Sequence, residues 1–324
     1  MISRRKFLTA CGLGLGASLA FAGFRALTGG AAFVPGGRTL LGGLAPVPGK
    51  PALAATDAGI AAGPESNAEA LAPENMAEDA ALRDYLYKMR HFDAPHPGDI
   101  YLTAAQIPLF VSVRAKLEAL QKHVGHLNFQ VLSLDEGRVQ ARRMAGGDGG
   151  FTPEELAFME ELFYADAGNY GFLDQKPFNS LTYAIPAREV TKVAGMGNYI
   201  YRGAAEARWG EIHKLLGDEV VLTSGVRGVL KQFLLFLNKA ERNNGNLSLA
   251  SRSLAPPGYS YHGVGDFDVG QRGLAEKNFT GAFTETPVFA ALSELGYITL
   301  RYPRDNLLGV RFEPWHIRVV EQPV

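Results

Sequence analysis

Thirteen residues, GYSYHGVGDFDVG at 258–270, limit what the second half of the chain can become. Gly258, Gly263, Gly265 and Gly270 leave the segment no strong helix or strand preference and mark turns or close backbone approaches. Yet the same stretch carries His262, Asp266 and Asp268. Polar side chains on such a segment are held by something other than a regular hydrogen-bond ladder. A metal ion is one candidate and a solvated loop is the other. Taken alone, His262 reads as a solvated loop histidine, so its partners elsewhere in the chain decide.

The flanking patterns place this segment in a mixed fold. ARWGEIHKLLG reads as a helix, DEVVLTS at 218–224 as a strand, and VRGVLKQFLLFLNKAERN as a long amphipathic helix. After the glycine segment come a helix from Pro287 to Leu295 and two closing strands, YITLRYP and VRFEPWHIRVV. Upstream, residues 76–185 are mainly helical: AEDAALRDYLYKMRHF, then TAAQIPLFVSVRAKLEALQKHV capped by Thr103, then TPEELAFMEELFYADAGNYG opened by Thr152 and Pro153. NFQVLSL at 128–134 reads as a strand between them. Hairpin-like closing strands argue for an α+β fold, a small mainly antiparallel sheet with flanking helices plus an N-terminal helical region, rather than a doubly wound parallel sheet.

The first 54 residues stand apart. They hold Arg4, Arg5, Lys6, Arg25, Arg38 and Lys50 and no acidic residue. Arg4-Arg5 after Ser3, followed by Phe7-Leu8 and a glycine-rich apolar stretch to Phe24, resembles a bacterial twin-arginine (Tat) export signal, with ALAA at 52–55 as a cleavage site. Residues 55–75 read as a flexible linker. The expected location is the periplasm or cell envelope, with membrane contact only through an uncleaved signal. The remainder has 26 basic against 33 acidic residues, a poor charge balance for nucleic acid. Cys11 is the sole cysteine, so a metal site has to use His, Asp and Glu.

Several hydrolase templates fail. There is no His-Glu-x-x-His, Gly258-Tyr259-Ser260-Tyr261-His262 misses the last glycine of a nucleophile elbow, and Ser3-Arg4-Arg5-Lys6 lies inside the export signal. What remains is three stretches in order: TSGVRGVLKQ at 223–232, GYSYHGVGDFDVG at 258–270 and FEPWH at 312–316. Together they resemble the VanY-type D-alanyl-D-alanine carboxypeptidases of the LAS group of zinc peptidases. Ser224, Gly225, Arg227 and Gln232 correspond to the family's first motif. Ser260, His262, Asp268 and Val269 correspond to the second, and Glu313, Pro314, Trp315 and His316 to the third. Val226 stands where the family has tyrosine, and the resemblance spans about 220–320.

The resemblance implies a hedgehog/DD-peptidase-like catalytic domain over 186–324 and a zinc ion held by His262, Asp268 and His316. Such a two-His, one-carboxylate set leaves a fourth position open for water. Glu313 would be the proton shuttle and Arg227 the oxyanion donor; Ser260 would hold the terminal D-alanine, Gln232 would contact substrate or support the loop, and Trp315 would line the substrate wall or pack beside the metal. Asp268 lies six residues after His262, one fewer than the family's spacing, and Asp266 lies four after it. Asp268 is the preferred ligand because Val269-Gly270 continue the family motif. Glu313 and His316, three apart, can converge only if their strand bends at Pro314. The implied partner is a peptidoglycan stem peptide, cut by release of the terminal D-alanine. Endopeptidase action within the stem, and wall-peptide binding without catalysis, are the alternatives.

Overall fold

The computed structural model describes residues 73–144 and 150–319; the segment expected to be an export signal and most of the expected linker lie outside them. Helices α1 (Pro73–Arg90), α2 (Gln106–Val124), α3 (Leu134–Met144) and α4 (Pro153–Tyr164) come first, followed by a hairpin of β1 (Val190–Val193) and β2 (Asn198–Tyr201). Then follow α5 (Ala204–Leu216), β3 (Val220–Ser224), α6 (Val229–Arg242), α7 (Leu247–Ser251), β4 (Phe267–Gln271), α8 (Pro287–Glu294) and β5 (His316–Ile317). Strands β3, β4 and β5 form an antiparallel sheet in that order, with β4 central. This is the expected α+β architecture. Among the described residues no helix is long and apolar enough to cross a membrane.

The helices start where their caps dictate. Thr152 accepts from the Glu155 amide while the Glu155 side chain accepts from the Thr152 amide, a capping box with Pro153 in the first turn. Thr103 exchanges equivalent bonds with Gln106 at the head of α2. The stretch 128–134 is not a strand. Residues His126–Phe129 make a short helical turn, and Ser133 caps α3 by exchanging bonds with Glu136. The apolar run at 128–134 thus straddles a helix boundary, and the Ser133–Glu136 pair outweighs its β propensity.

Helix α6 is the central element. Its Leu230, Phe233, Phe236 and Leu237 are buried with Val113 and Leu117 of α2 and Phe158 and Leu162 of α4. Helices on both sides of position 185 therefore share one buried cluster. A second cluster lies under the sheet, where Phe267 and Val269 of β4 meet Trp209, Ile212, Leu222 and Ile317. Period-two alternation then turns Asp268 to the opposite face of β4.

The closing strands are shorter than expected. Leu300 makes only an isolated bridge to Ile317, and β5 is two residues long. Glu313-Pro314-Trp315-His316 is a tight turn, its His316 amide donating to the Glu313 carbonyl at 3.2 Å. Pro314 occupies the turn position that a fixed φ near −65° favours. A reversal, rather than a bent strand, brings Glu313 and His316 to one side.

Candidate metal centre and cleft

Strand register assembles the site. Asp268 pairs with Ser224 of β3 on one side and with His316 of β5 on the other. His262 arrives from the glycine-rich loop, where the Arg227 amide donates to the His262 carbonyl at 3.2 Å and Tyr201 Oη donates to the Gly263 carbonyl. Gly225 permits the approach. A side chain there would put its Cβ 1.8 Å from the Tyr199 carbonyl oxygen, so only glycine fits.

His262, Asp268 and His316 are all buried, and one ligating atom from each lies within 4.8 Å of the others. His262 Nε2 is 3.2 Å from Asp268 Oδ1, and His316 Nδ1 is 3.7 Å from the same oxygen. The distal nitrogens are engaged. His262 Nδ1 donates to the Gly225 carbonyl at 2.8 Å, and His316 Nε2 donates to Asp266 Oδ2 at 3.1 Å. Each ring is thereby fixed in the orientation that aims its other nitrogen inward, the arrangement usual for histidines that hold metals. Among the described residues, His262 Nε2 and Asp268 Oδ1 are buried without a hydrogen-bond partner. Orphaned polar atoms of this kind are costly, and a shared cation satisfies both. The donor set fits zinc.

The electrostatics divide the two histidines. Burial and the Arg227 charge push His262 down to about 4, so it is neutral at neutral pH. Burial alone would lower His316, but its bonds to Asp266 and Glu313 outweigh this and raise it to about 9. Burial would raise Asp266 and Asp268. The neighbouring His316 and Arg301 hold Asp266 at about 2, while His262 and Arg227 hold Asp268 well below the usual carboxylate range. Asp266 also accepts from Arg301 Nε at 2.7 Å and the Val319 amide at 2.8 Å. It sits behind His316 as an orienting group, and Asp268 faces the centre.

Around this centre opens a cleft of about 450 Å³. Glu313, Arg227, Ser260 and Trp315 all line it. Glu313 Oε2 is 3.4 Å from His316 Nδ1. Arg227 donates through Nε to Ser224 Oγ at 2.8 Å and through Nη2 to Asp268 Oδ2 at 2.5 Å, leaving Nη1 without a hydrogen-bond partner among the described residues. Gln232 is a correction. It is buried away from the cleft, and its amide is spent on the Arg227 carbonyl and the Gly258 amide, each at 2.8 Å. It braces two loops and cannot reach a substrate. Arg301 was not singled out in the sequence; its guanidinium lies 3.5 Å over the Tyr261 ring as it pairs with Asp266. The Asp-x-Asp period of two was the available signal that Asp266 and Asp268 share a face.

Residues 211–322 match the family model VanY, D-alanyl-D-alanine carboxypeptidase. The matched segment begins within α5 and includes His262, Asp268 and His316. Among solved structures, VanYB in complex with D-alanine-D-alanine is similar at 22% identity with a TM-score of 0.37, over 46% of this chain and 85% of that one. A vancomycin-resistance D,D-pentapeptidase VanY in complex with Zn(II) gives 22%, 0.37, 46% and 86%. The LdcB LD-carboxypeptidase is similar at 22% identity, TM-score 0.33, over 46% of this chain and 66% of its own. No curated protein matches the chain.

Proposed function

We propose that the protein is a zinc-dependent peptidase acting on peptidoglycan stem peptides that end in D-Ala-D-Ala, releasing the terminal D-alanine. The observation that carries this reading is the buried His262–Asp268–His316 set with two orphaned ligating atoms, inside the segment that matches the D-alanyl-D-alanine carboxypeptidase model. His262 Nε2, Asp268 Oδ1 and His316 Nδ1 would hold the ion. When bound, zinc supplies Lewis acidity and a water acidified towards a pKa of about 7.

The chain's own groups do the rest. Glu313, beside His316 at the cleft floor, takes the proton of the attacking water and returns it to the departing amine. Arg227 is locked by Ser224 and Asp268, so its free Nη1 points a fixed charge at the carbonyl oxygen that becomes anionic. Ser260 and Trp315 line the wall against which the peptide end lies. The same proposal places the enzyme outside the cytoplasmic membrane after twin-arginine export, on the strength of Arg4-Arg5 and the apolar stretch behind them.

The test is zinc content and D-alanine release measured on one preparation, with Glu313→Gln beside the wild type. The expected result is about one zinc per chain in both proteins, with D-alanine released only by the wild type. Undiminished release by Glu313→Gln removes Glu313 from the chemistry, and a wild type purified without chelator that holds no zinc removes the enzyme reading.

A further inference from the structure

The cleft extends well past the metal centre, along the exposed side of α6, and this arm is basic. Lys231, Leu235, Asn238, Lys239 and Arg242 line it from α6, and Arg311 lines it from the facing loop. Among the described residues no carboxylate pairs within 4.0 Å with Lys231, Lys239, Arg242 or Arg311. Glu241, the acidic neighbour of Arg242, is taken by Arg114 at 2.5 Å. Asp93, which is exposed, and Glu313 are the acidic groups near enough to act on this wall. Burial and the Arg227 charge push Lys231 down to about 8, and burial, then Arg311 and Arg242, lower Lys239. These cations crowd one another without neutralisation.

We infer that the arm is a subsite for carboxylates on the acyl side of the scissile bond, so that the enzyme selects acidic stem peptides over amidated ones. The inference rests on the peptidase reading above. Direction follows from length. Arg227, at the head of α6, is beside the metal centre, and a helix rises about 1.5 Å per residue, so the wall from Lys231 to Arg242 runs about 16 Å. An extended peptide covers that span in about five residues. A carboxypeptidase leaves one residue on the departing side, so the long arm takes the residues that precede the cut. Lys239 and Arg242, about 12 and 16 Å along that wall from Lys231, then face groups about four and five residues before the bond. Carboxylates there meet one cation from α6 and, across the arm, Arg311, whose buried Nε has no hydrogen-bond partner among the described residues and whose guanidinium lies 4.9 Å from the Trp315 ring centre.

The experiment compares two peptides of equal length ending in D-Ala-D-Ala. One carries side-chain carboxylates four and five residues before the cut, and the other carries the corresponding amides. Zinc-loaded wild type and the K239Q/R242Q double variant are assayed for kcat/KM at low and high salt. In parallel, anisotropy reads the binding of fluorescent forms of both peptides to Glu313→Gln protein with and without K239Q/R242Q. Two partly exposed ion pairs give an expected preference for the acidic peptide of about fivefold to tenfold at low salt. The preference should shrink at high salt and fall to near one in the double variant. Equal kcat/KM for both peptides in the wild type, or a preference that survives the double substitution, overturns the inference. If neither peptide is hydrolysed, the peptidase reading has failed and the anisotropy decides this one: tighter, salt-sensitive binding of the acidic peptide that the double variant abolishes supports the subsite, and equal binding overturns it.

Discussion

Asp266 offers the sharpest test of how the centre is built. It accepts from Arg301 Nε at 2.7 Å, the Val319 amide at 2.8 Å and His316 Nε2 at 3.1 Å, with no solvent at its side chain. Asp266→Asn keeps the shape and removes the charge. One end of the new amide is a donor, so it must face a donor already present, and Arg301, 4% exposed, loses the charge of Asp266 beside it. Breaking a buried ion pair costs about 3–5 kcal/mol, and the retained amide oxygen places this variant near the lower end. The effect on zinc is separable. A carboxylate behind a ligating histidine contributes about 10- to 100-fold in metal affinity, or about 1.4–2.7 kcal/mol. Urea unfolding of the zinc-free protein reads the first quantity. Competition with a chromophoric chelator, in buffer where circular dichroism shows the variant folded, reads the second. Asp268→Asn is the control, because it removes a ligating oxygen outright and should lose more zinc affinity than Asp266→Asn. Wild-type affinity in Asp266→Asn would refute the orienting role. The reverse order of the two variants would make Asp266 the ligand.

Two further expectations concern stability. Asp99 is buried against Arg252, which donates to it through both terminal nitrogens, and it also accepts from the His96 amide and Asn246. Burial would raise its pKa, and these partners outweigh it and lower the value below 3.8. The folded state therefore binds this proton less readily than the unfolded chain, so the contribution is complete above the unfolded value and is lost as pH falls through the folded one. Unfolding free energy measured below pH 4 should fall less steeply with acid in Asp99→Asn, and an unchanged slope would detach Asp99 from the acid limb. Gly225→Ala forces a Cβ to 1.8 Å from the Tyr199 carbonyl oxygen, which already accepts the Val226 amide at 2.8 Å. Separation of β3 from the β1–β2 hairpin should cost about 3 kcal/mol or more and shift the Gly225 carbonyl that orients His262; a wild-type urea midpoint counts against this account.

What could be read from the sequence divides along a physical line. Three motifs named His262, Asp268, His316, Glu313 and Arg227 because each chemistry-bearing residue stands beside glycine, proline or tryptophan at fixed offsets, and such local patterns survive in one dimension. The lateral partners do not. Asp266 could be read as a competing ligand because it lies four residues from His262, and only β4–β5 register shows it behind the ring of His316 while Asp268 lies in front. Gln232 sits in the first motif and so reads as a substrate group, yet the turn of α6 that carries it faces the core, where its amide serves two backbone groups. The strand expected at 128–134 failed for the same reason in reverse: a run of apolar residues records burial without saying whether helix or sheet does the burying, and a cap at Ser133 settled it. Most instructive is α6. Its sequence reads as a long amphipathic helix, and the fold lays the face bearing Lys231, Lys239 and Arg242 along the cleft that also holds the metal centre. Charges on a helix gain meaning from what they are placed beside, and in this chain they line the same cleft as Glu313.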